Sequence, residues 1–585
     1  MRLIETTTLA METHLGNDIP PYAILSHTWG DEEVTLQDWN SPKRDGMKGF
    51  DKIRMTCWLA ASGGIKYAWV DTCCIDKSNS VELSEAINSM YRWYKRAHMC
   101  YVYLSDLILP APIAYEGIVD LAELLRGCRW FSRGWTLQEL IAPRSVRFYQ
   151  HNWGFVGEKA SWGDMLSSVT GISSQAMHNF VPEYYSIAER MSWAAERETT
   201  REEDEAYCLL GIFNVNMPML YGEGSKAFRR LQEETIRTGY DVSIFAWTRR
   251  PRRFTASPFL FRDENDVCGA FANAPGDFHP IPAMRLAESE GNEVSITNAG
   301  VKLTLELCLI RIAQTGKLSY VLPIRDGRRT DKGQNESALG VVLEKNYPGR
   351  FARTNIDKLV VIPDDEEAGM VRRIRCPGAY VMTEIPPIRP IDFYKDPYPL
   401  NFVFPQGCRV VKAWPSDNWN DAESSFMTAF DEEYGSMLVE VKIPTPAGDD
   451  DGRLGEFMFL FSGRLNFGDL LHNPHDLQYT IVGYREHQLI LDIINLRMGT
   501  GDIDAQELRR TLRNFAIPRQ RTAAVPVNDM GQYIHASVGR DSIAYDMDED
   551  TEDKFITDLI FRRAASFVFT SSPVAFENEQ QPWSV

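Results

Sequence analysis

Polar side chains that follow directly on apolar runs are the ones whose type and spacing suggest chemistry. The run Tyr22 to Leu25 gives way to Ser26, His27 and Trp29. Tyr67 to Val70 leads into Asp71 and, a short step later, Asp76. Met99 to Leu104 ends at Ser105 and Asp106, and beyond it come Arg133, Trp135 and Glu139. Brought together, these residues line an acidic crevice with indole surfaces able to stack on a planar ring. Such a crevice suits a neutral or cationic aromatic group better than a bare polyphosphate. Arg133 offers a forked contact for one phosphate. Neither Gly-x-Gly-x-x-Gly nor the phosphate-loop Lys signature follows the first run, which disfavours a conventional dehydrogenase or nucleoside triphosphatase.

Each residue also has a plainer reading. His27 can be a structural histidine donating to a carbonyl, and Asp71 and Asp76 flank a turn, where Asp bonds its own backbone. Trp29, Trp69 and Trp135 fit a core, Trp69 most of all. Glu139 on a helix fits a solvated surface. Cys73 and Cys74 read as inert buried thiols; paired with His27, either would instead make a thiol hydrolase if its thiolate were accessible and of low pKa.

The crevice requires elements that end at one edge. Tyr22 to His27, Tyr67 to Val70, Met99 to Leu104 and Ser145 to Tyr149 read as four buried strands. Between them, Phe50, Ile53, Cys57 and Ala60 recur at helical spacing before Gly63-Gly64. Leu83, Ile87, Met90 and Tyr94 form a second stripe, opened by Asn79 with Glu82 as its capping-box partner. Trp135 to Ala142 is a third helix, stopped by Pro143. Alternation of strand and helix predicts a parallel open sheet, whose ligands bind at the carboxyl ends of its strands. The first twenty residues carry no clear signal.

Residues 181 to 247 read as helical. From about 255, period-two alternation takes over, clearest at Val301, Leu303, Leu305, Leu307 and Leu309 against Lys302, Thr304, Glu306 and Cys308. Further short apolar runs near 318, 339, 359, 437, 457 and 479 predict a β-rich sandwich or barrel. The reading is of a multidomain chain: an α/β domain over 1–180, a helical segment over 181–250 and a β-rich region over 251–585, with a candidate division into two subdomains near 444–452.

At 585 residues, with a formal charge of -19, the chain is too long for one core and too acidic for a general nucleic-acid binder. Arg249, Arg250, Arg252 and Arg253 read as a solvated linker. No apolar run is long enough for a membrane span, and no signal peptide is apparent. Ten scattered cysteines without Cys-x-x-Cys favour free thiols in a reducing compartment, hence a cytoplasmic location, and no structural metal.

Three blocks in order, Ser26-His-Thr-Trp-Gly30, Trp69-Val-Asp-Thr-Cys-Cys-Ile-Asp76 and Arg133-Gly-Trp-Thr-Leu-Gln-Glu-Leu-Ile-Ala-Pro143, closely resemble the fungal heterokaryon-incompatibility (HET) domain. The resemblance covers roughly residues 20 to 150. Glu205 to Phe213 and Met219 to Gly224 look like the helical segment that commonly follows it. The family implies non-self recognition and regulated cell death in filamentous fungi. HET domains in turn look like relatives of Toll/interleukin-receptor (TIR) domains, some of which cleave NAD. The TIR first strand ends in Ile-Ser-His, against Ile24-Leu25-Ser26-His27 here. The TIR catalytic glutamate lies in Trp-Cys-x-x-Glu-Leu, against Trp135-Thr-Leu-Gln-Glu139-Leu140, with Thr136 in place of Cys. The resemblance therefore implies Glu139 as catalytic carboxylate, NAD as substrate, and Ser26, His27, Trp29, Asp71, Asp76, Arg133 and Trp135 as substrate-binding residues. No cofactor is implied. A non-enzymatic module that assembles with copies of itself or a signalling partner is the main alternative, and a Cys/His thiol hydrolase the third.

Overall fold

A computed structural model describes the chain through residue 249, apart from 15, 17 and 110–119. It continues in blocks from 267 to 482, and then covers the strands 524–526, 533–540 and 565–572. The amino-terminal part is built on a seven-stranded sheet. Its strands are β1 (Arg2–Glu5), β2 (Met11–Thr13), β3 (Tyr22–His27), β4 (Tyr67–Trp69), β5 (Met99–Tyr103), β6 (Val146–Tyr149) and β7 (Phe155–Glu158). Their spatial order is β2-β1-β4-β3-β5-β6-β7. The central four strands are parallel, as the alternation predicts. The sheet is nevertheless mixed: β1, β2 and β7 run antiparallel at its flanks. The opening hairpin was illegible because its alternation spans only three or four residues on each side.

Helices fill the crossovers. α1 (Lys48–Ser62) joins β3 to β4. α2 (Asp71–Cys74) and α3 (Ser80–Arg96) join β4 to β5. α4 (Leu121–Gly127), α5 (Arg129–Ser132) and α6 (Thr136–Ile141) lie between β5 and β6. Asn79 caps α3 as expected, its side chain accepting from the amides of Val81 and Glu82. Glu82 does not close the predicted capping box. Its carboxylate takes the Asp76 amide at 2.9 Å and pairs with Arg2, tying α3 to β1.

β3 is the pivot. All six of its residues are buried. The chain leaves it to one side for β4 and returns on the other for β5, with Ser26 opposite Val102 and His27 opposite Tyr103. The carboxyl end of β3 is thus the point at which the winding reverses, where an open α/β sheet leaves a crevice.

Short helices follow: α7 (Gly163–Thr170), α8 (Ser174–His178), α9 (Ile187–Ser192), α10 (Asp204–Tyr207), α11 (Leu210–Phe213) and α12 (Lys226–Arg237). A cluster of buried apolar side chains runs without a break from Leu3 to Val381, taking in the sheet, these helices and the first β-rich unit.

That unit comprises β8 (Ser295–Thr297), β9 (Gly300–Arg311), β10 (Leu318–Arg325), β11 (Ala338–Tyr347), β12 (Arg350–Arg353), β13 (Val360–Ile362) and β14 (Arg372–Val381). The pairings β9-β10-β11-β12-β14-β9 close on themselves, so the strands form a barrel. Val301, Leu303, Leu305 and Leu307 point inward as their period requires. Cys308 departs from the pattern: it is buried on the other face, against Val321, Val342, Val360 and Ile362. Two further sheets, of six and four strands, occupy 399–572. The acidic and Pro/Gly-rich stretches at 444–452 and 546–553, and Arg250, Arg252 and Arg253, lie outside the described residues.

The barrel is fastened to the helices by buried polar contacts. Arg353 on β12 donates to the carbonyls of Phe245 and Trp247, and its guanidinium stacks 3.8 Å from the Trp247 ring centroid. Gln232 on α12 exchanges two hydrogen bonds with the backbone of Ala272, at 2.9 and 3.0 Å. Among the described residues no helix is long and apolar enough to cross a membrane.

Candidate active site

Two linked clusters stand at the carboxyl edge of the parallel strands. The inner one centres on Ser26, which is fully buried. Its hydroxyl donates to Glu139 Oε2 at 2.5 Å and accepts from Trp130 Nε1 at 2.8 Å. Ser26 comes from the end of β3, Trp130 from α5 and Glu139 from α6, so three separate elements converge on one hydroxyl. Tyr94, from the buried stripe of α3, donates to the Leu25 carbonyl at 3.0 Å and reaches the Glu139 carboxyl as well.

Glu139 is 8% exposed, which corrects the view of it as a solvated helix residue. Burial pushes its carboxyl up to about 8; the Ser26 bond opposes the shift, the Asp71 charge adds to it, and Tyr94 and Arg197 oppose it. At neutral pH the resting side chain is therefore mostly protonated.

α6 is held at both ends by cations the sequence did not single out. At its carboxyl end the fully enclosed Lys159 donates to the carbonyls of Leu140 at 3.0 Å, Ile141 at 3.5 Å and Pro143. Burial lowers that ammonium to about 8. Leu140 and Ile141 are among the carbonyls a helix leaves unpaired at its last turn. At the other end Arg197 donates to the Arg133 carbonyl at 2.8 Å and to Thr136 Oγ1 at 3.0 Å. The single Thr136 hydroxyl proton lies between the Trp130 carbonyl, at 2.5 Å, and the Arg133 carbonyl, at 2.8 Å, binding α5 to α6. Thr136 thus has a positioning task of its own.

The outer cluster centres on Asp71, the first residue of α2. Its Oδ1 lies 3.2 Å from His27 Nε2 and its Oδ2 accepts from Trp29 Nε1 at 2.8 Å. Lys77 Nζ is 3.8 Å from Oδ2 and sits over the Trp29 ring, 3.3 Å from the centroid. Burial alone would raise the Asp71 carboxyl; Lys77, His27 and Trp29 outweigh it and hold it at about 2. On the far side of the imidazole, Lys52 Nζ from α1 lies 3.2 Å from Nδ1 and pairs with Glu33. An ammonium only donates. Nδ1 must therefore accept, and the ring proton sits on Nε2, directed at Asp71.

The structure thus brings Ser26, His27, Trp29, Asp71 and Glu139 together. It sets the other three apart. Asp76 turns to Ser78 and Gln37, at 2.6 and 2.8 Å from its Oδ1, as a turn-forming Asp does. Arg133 directs its guanidinium to Thr200 Oγ1 at 3.2 Å. Trp135 lies beside Asp204, a hydrogen-bond partner on α10. Arg133 and Trp135 were placed by their position past β5, whereas they sit in the short link between α5 and α6. Trp29 is half exposed, but its indole is already engaged by Lys77 and Asp71.

The thiols do not fit nucleophilic work. Cys73 and Cys74 are buried, and burial drives the Cys73 thiol well above its ordinary value, with Cys74 adding to the effect. The partners of His27 are Asp71, Lys52 and Glu33. All ten cysteines are free. No group of three metal-ligating side chains occurs among the described residues.

Residues 22–108, from β3 to just beyond β5, match the family model described as heterokaryon incompatibility protein (HET). That stretch of the chain is a HET domain. Over 219 residues the chain is 49% identical to the vegetative incompatibility protein HET-E-1 of Podospora anserina, an alignment spanning 37% of this chain and 16% of that protein. It is much longer than the stretch matched by the family model. No solved structure matches the chain. The HET domain match includes β3 and Asp71 but stops short of Trp130 and Glu139, so the inner cluster is completed by α5 and α6 beyond it.

Proposed function

We propose that this protein acts in heterokaryon-incompatibility-type non-self recognition leading to regulated cell death in a fungus. We further propose that its HET domain cleaves NAD at the nicotinamide N-glycosidic bond. The observation that carries the second reading is the Ser26–Glu139 contact at the carboxyl end of β3. It unites the two short motifs in which the domain resembles TIR domains.

The nicotinamide of NAD leaves as a neutral base with the C–N electron pair, so its departure needs little acid catalysis. Positive charge develops on the ribosyl group, water adds to that carbon, and the water's proton is released to solvent. The enzyme must supply a negative charge beside the sugar. Glu139 supplies it once ionised, and the cationic pyridinium of the substrate favours the ionised form by lowering the carboxyl's pKa. Ser26 orients the carboxylate. Asp71, ionised throughout the physiological range, adds a second negative charge. In the resting structure the carboxyl is enclosed, so α6 or the loop after β3 must shift to admit a ribose.

The test is release of free nicotinamide from NAD by the purified full chain, compared with Glu139→Gln. By analogy with a deleted electrostatic stabiliser, a barrier increase of about 3 kcal/mol, or roughly a hundredfold in rate, is expected. Equal rates in the two proteins would remove the catalytic claim. A second reading, a non-enzymatic module that self-associates or engages a signalling partner, is favoured by the enclosure of Glu139. Its signature is wild-type death signalling by Glu139→Gln. Ten free thiols suit a reducing, cytoplasmic setting for either reading.

A further inference from the structure

A cavity of about 580 Å³ lies among α4, α5, α7 and α9, and neither Ser26 nor Glu139 lines it. α5 stands between the two places. Its Trp130 reaches Ser26, while Phe131 and Ser132 face the cavity. The volume is within the range of small-molecule sites.

The polar groups of the wall are sorted by what they can do. Ser132, Ser168 and Ser192 donate their protons to their own helices, at the carbonyls of Arg129, Met165 and Glu189, at 3.0, 2.8 and 2.7 Å. Toward the cavity these hydroxyls can only accept. The donors are two guanidiniums, Arg126 and Arg197. Neither pairs with a carboxylate among the described residues. Arg126 spends one N–H on the Ser168 carbonyl at 3.3 Å. Arg197 spends its bonds on carbonyls and on Thr136 Oγ1. The wall's carboxylate, Glu196, lies 3.4 Å from His279 and cancels only one of the two guanidinium charges. In a chain of formal charge -19, this is a locally cationic chamber.

A ligand that satisfies both sets must carry an anionic group for the arginines and hydroxyl donors for the serines. Two guanidiniums favour a multi-oxygen anion that accepts forked bonds. We propose that the cavity is a site for a hydroxyl-bearing phosphate monoester no larger than a nucleoside monophosphate, and that its occupancy is transmitted to α6 through Arg197. That residue lines the cavity and also donates to Thr136 Oγ1 and the Arg133 carbonyl. The site does not depend on NAD cleavage: it would serve as an effector site for a catalytic or a non-catalytic HET domain.

Titration calorimetry on the full chain, with ribose 5-phosphate, adenosine monophosphate, adenosine and inorganic phosphate as separate probes, tests it. Binding of at least one of the two phosphate esters is expected, with adenosine and inorganic phosphate at least about tenfold weaker. Arg126 is exposed, so Arg126→Glu should fold normally, which its melting temperature checks, and it should lose about tenfold or more in affinity. Hydrogen exchange of the α6 amides should slow several-fold when the site is filled. No binding by either ester, adenosine binding as tightly as its phosphate, or equal affinity in Arg126→Glu would overturn the site. Unchanged exchange in α6 at saturation would overturn the link to it.

Discussion

Replacing Glu139 by Gln probes the centre of the site without using any substrate. The carboxyl is displaced from 4.5 to about 8 in the folded chain. Between those values the unfolded chain releases the proton while the folded chain keeps it. The folded state therefore binds more protons there, and stability falls as pH rises. The contribution is fully present below pH 4.5 and is lost as pH passes through about 8. At about 1.4 kcal/mol per pH unit, wild type should lose on the order of 3 kcal/mol between pH 5 and pH 7.5 from this group alone. Gln is nearly isosteric, accepts the Ser26 proton and cannot ionise. The assay is urea denaturation of both proteins at half-unit pH steps, reading the stability difference against pH. Glu139→Gln should gain on wild type steadily from pH 5 to 8, and the difference should level off above that. Parallel curves would show that the carboxyl is not held neutral and would refute the account of its burial.

Lys159→Met removes the donor that closes α6 and leaves enclosed carbonyls unpaired, so it should cost about 2–3 kcal/mol in denaturant unfolding; a loss under half that would mean water takes over the role. Asp71→Asn gives up a carboxylate held at about 2 against 3.8 in the unfolded chain, a contribution of about 2 kcal/mol that is present above pH 3.8 and lost as pH falls through 2. Its destabilisation should accordingly vanish below pH 2, and a cost independent of pH would show that hydrogen-bond geometry rather than charge is at stake.

The strands of the parallel core were legible because each is a short run dominated by apolar residues and bounded by polar or turn residues. The outer strands of the same sheet were not, since three or four residues of alternation cannot be told from a loop. The strand ends placed Ser26, His27, Trp29 and Asp71 near one another, because a residue at a strand's carboxyl end has little choice of direction. Arg133 and Trp135 lie in the three-residue link between α5 and α6, where Arg133 is extended and bridges Glu198, a turn no helical period foretells. The supporting cations, Lys52, Lys77, Lys159 and Arg197, have no local signature at all. Each lies far in sequence from the group it serves, or is indistinguishable from a surface residue until packing encloses it.

The flanks of the sheet bear on how copies of this protein would come together. Its outermost strands, Met11–Thr13 and Phe155–Glu158, are three and four residues long. Each already spends one side on its inner neighbour, so a docking backbone would find a ladder of only two or three rungs. Growth by strand addition, the route to amyloid-like fibres, is thereby discouraged in this domain. Any higher-order signalling body it builds has to be cemented by side chains on its helical faces.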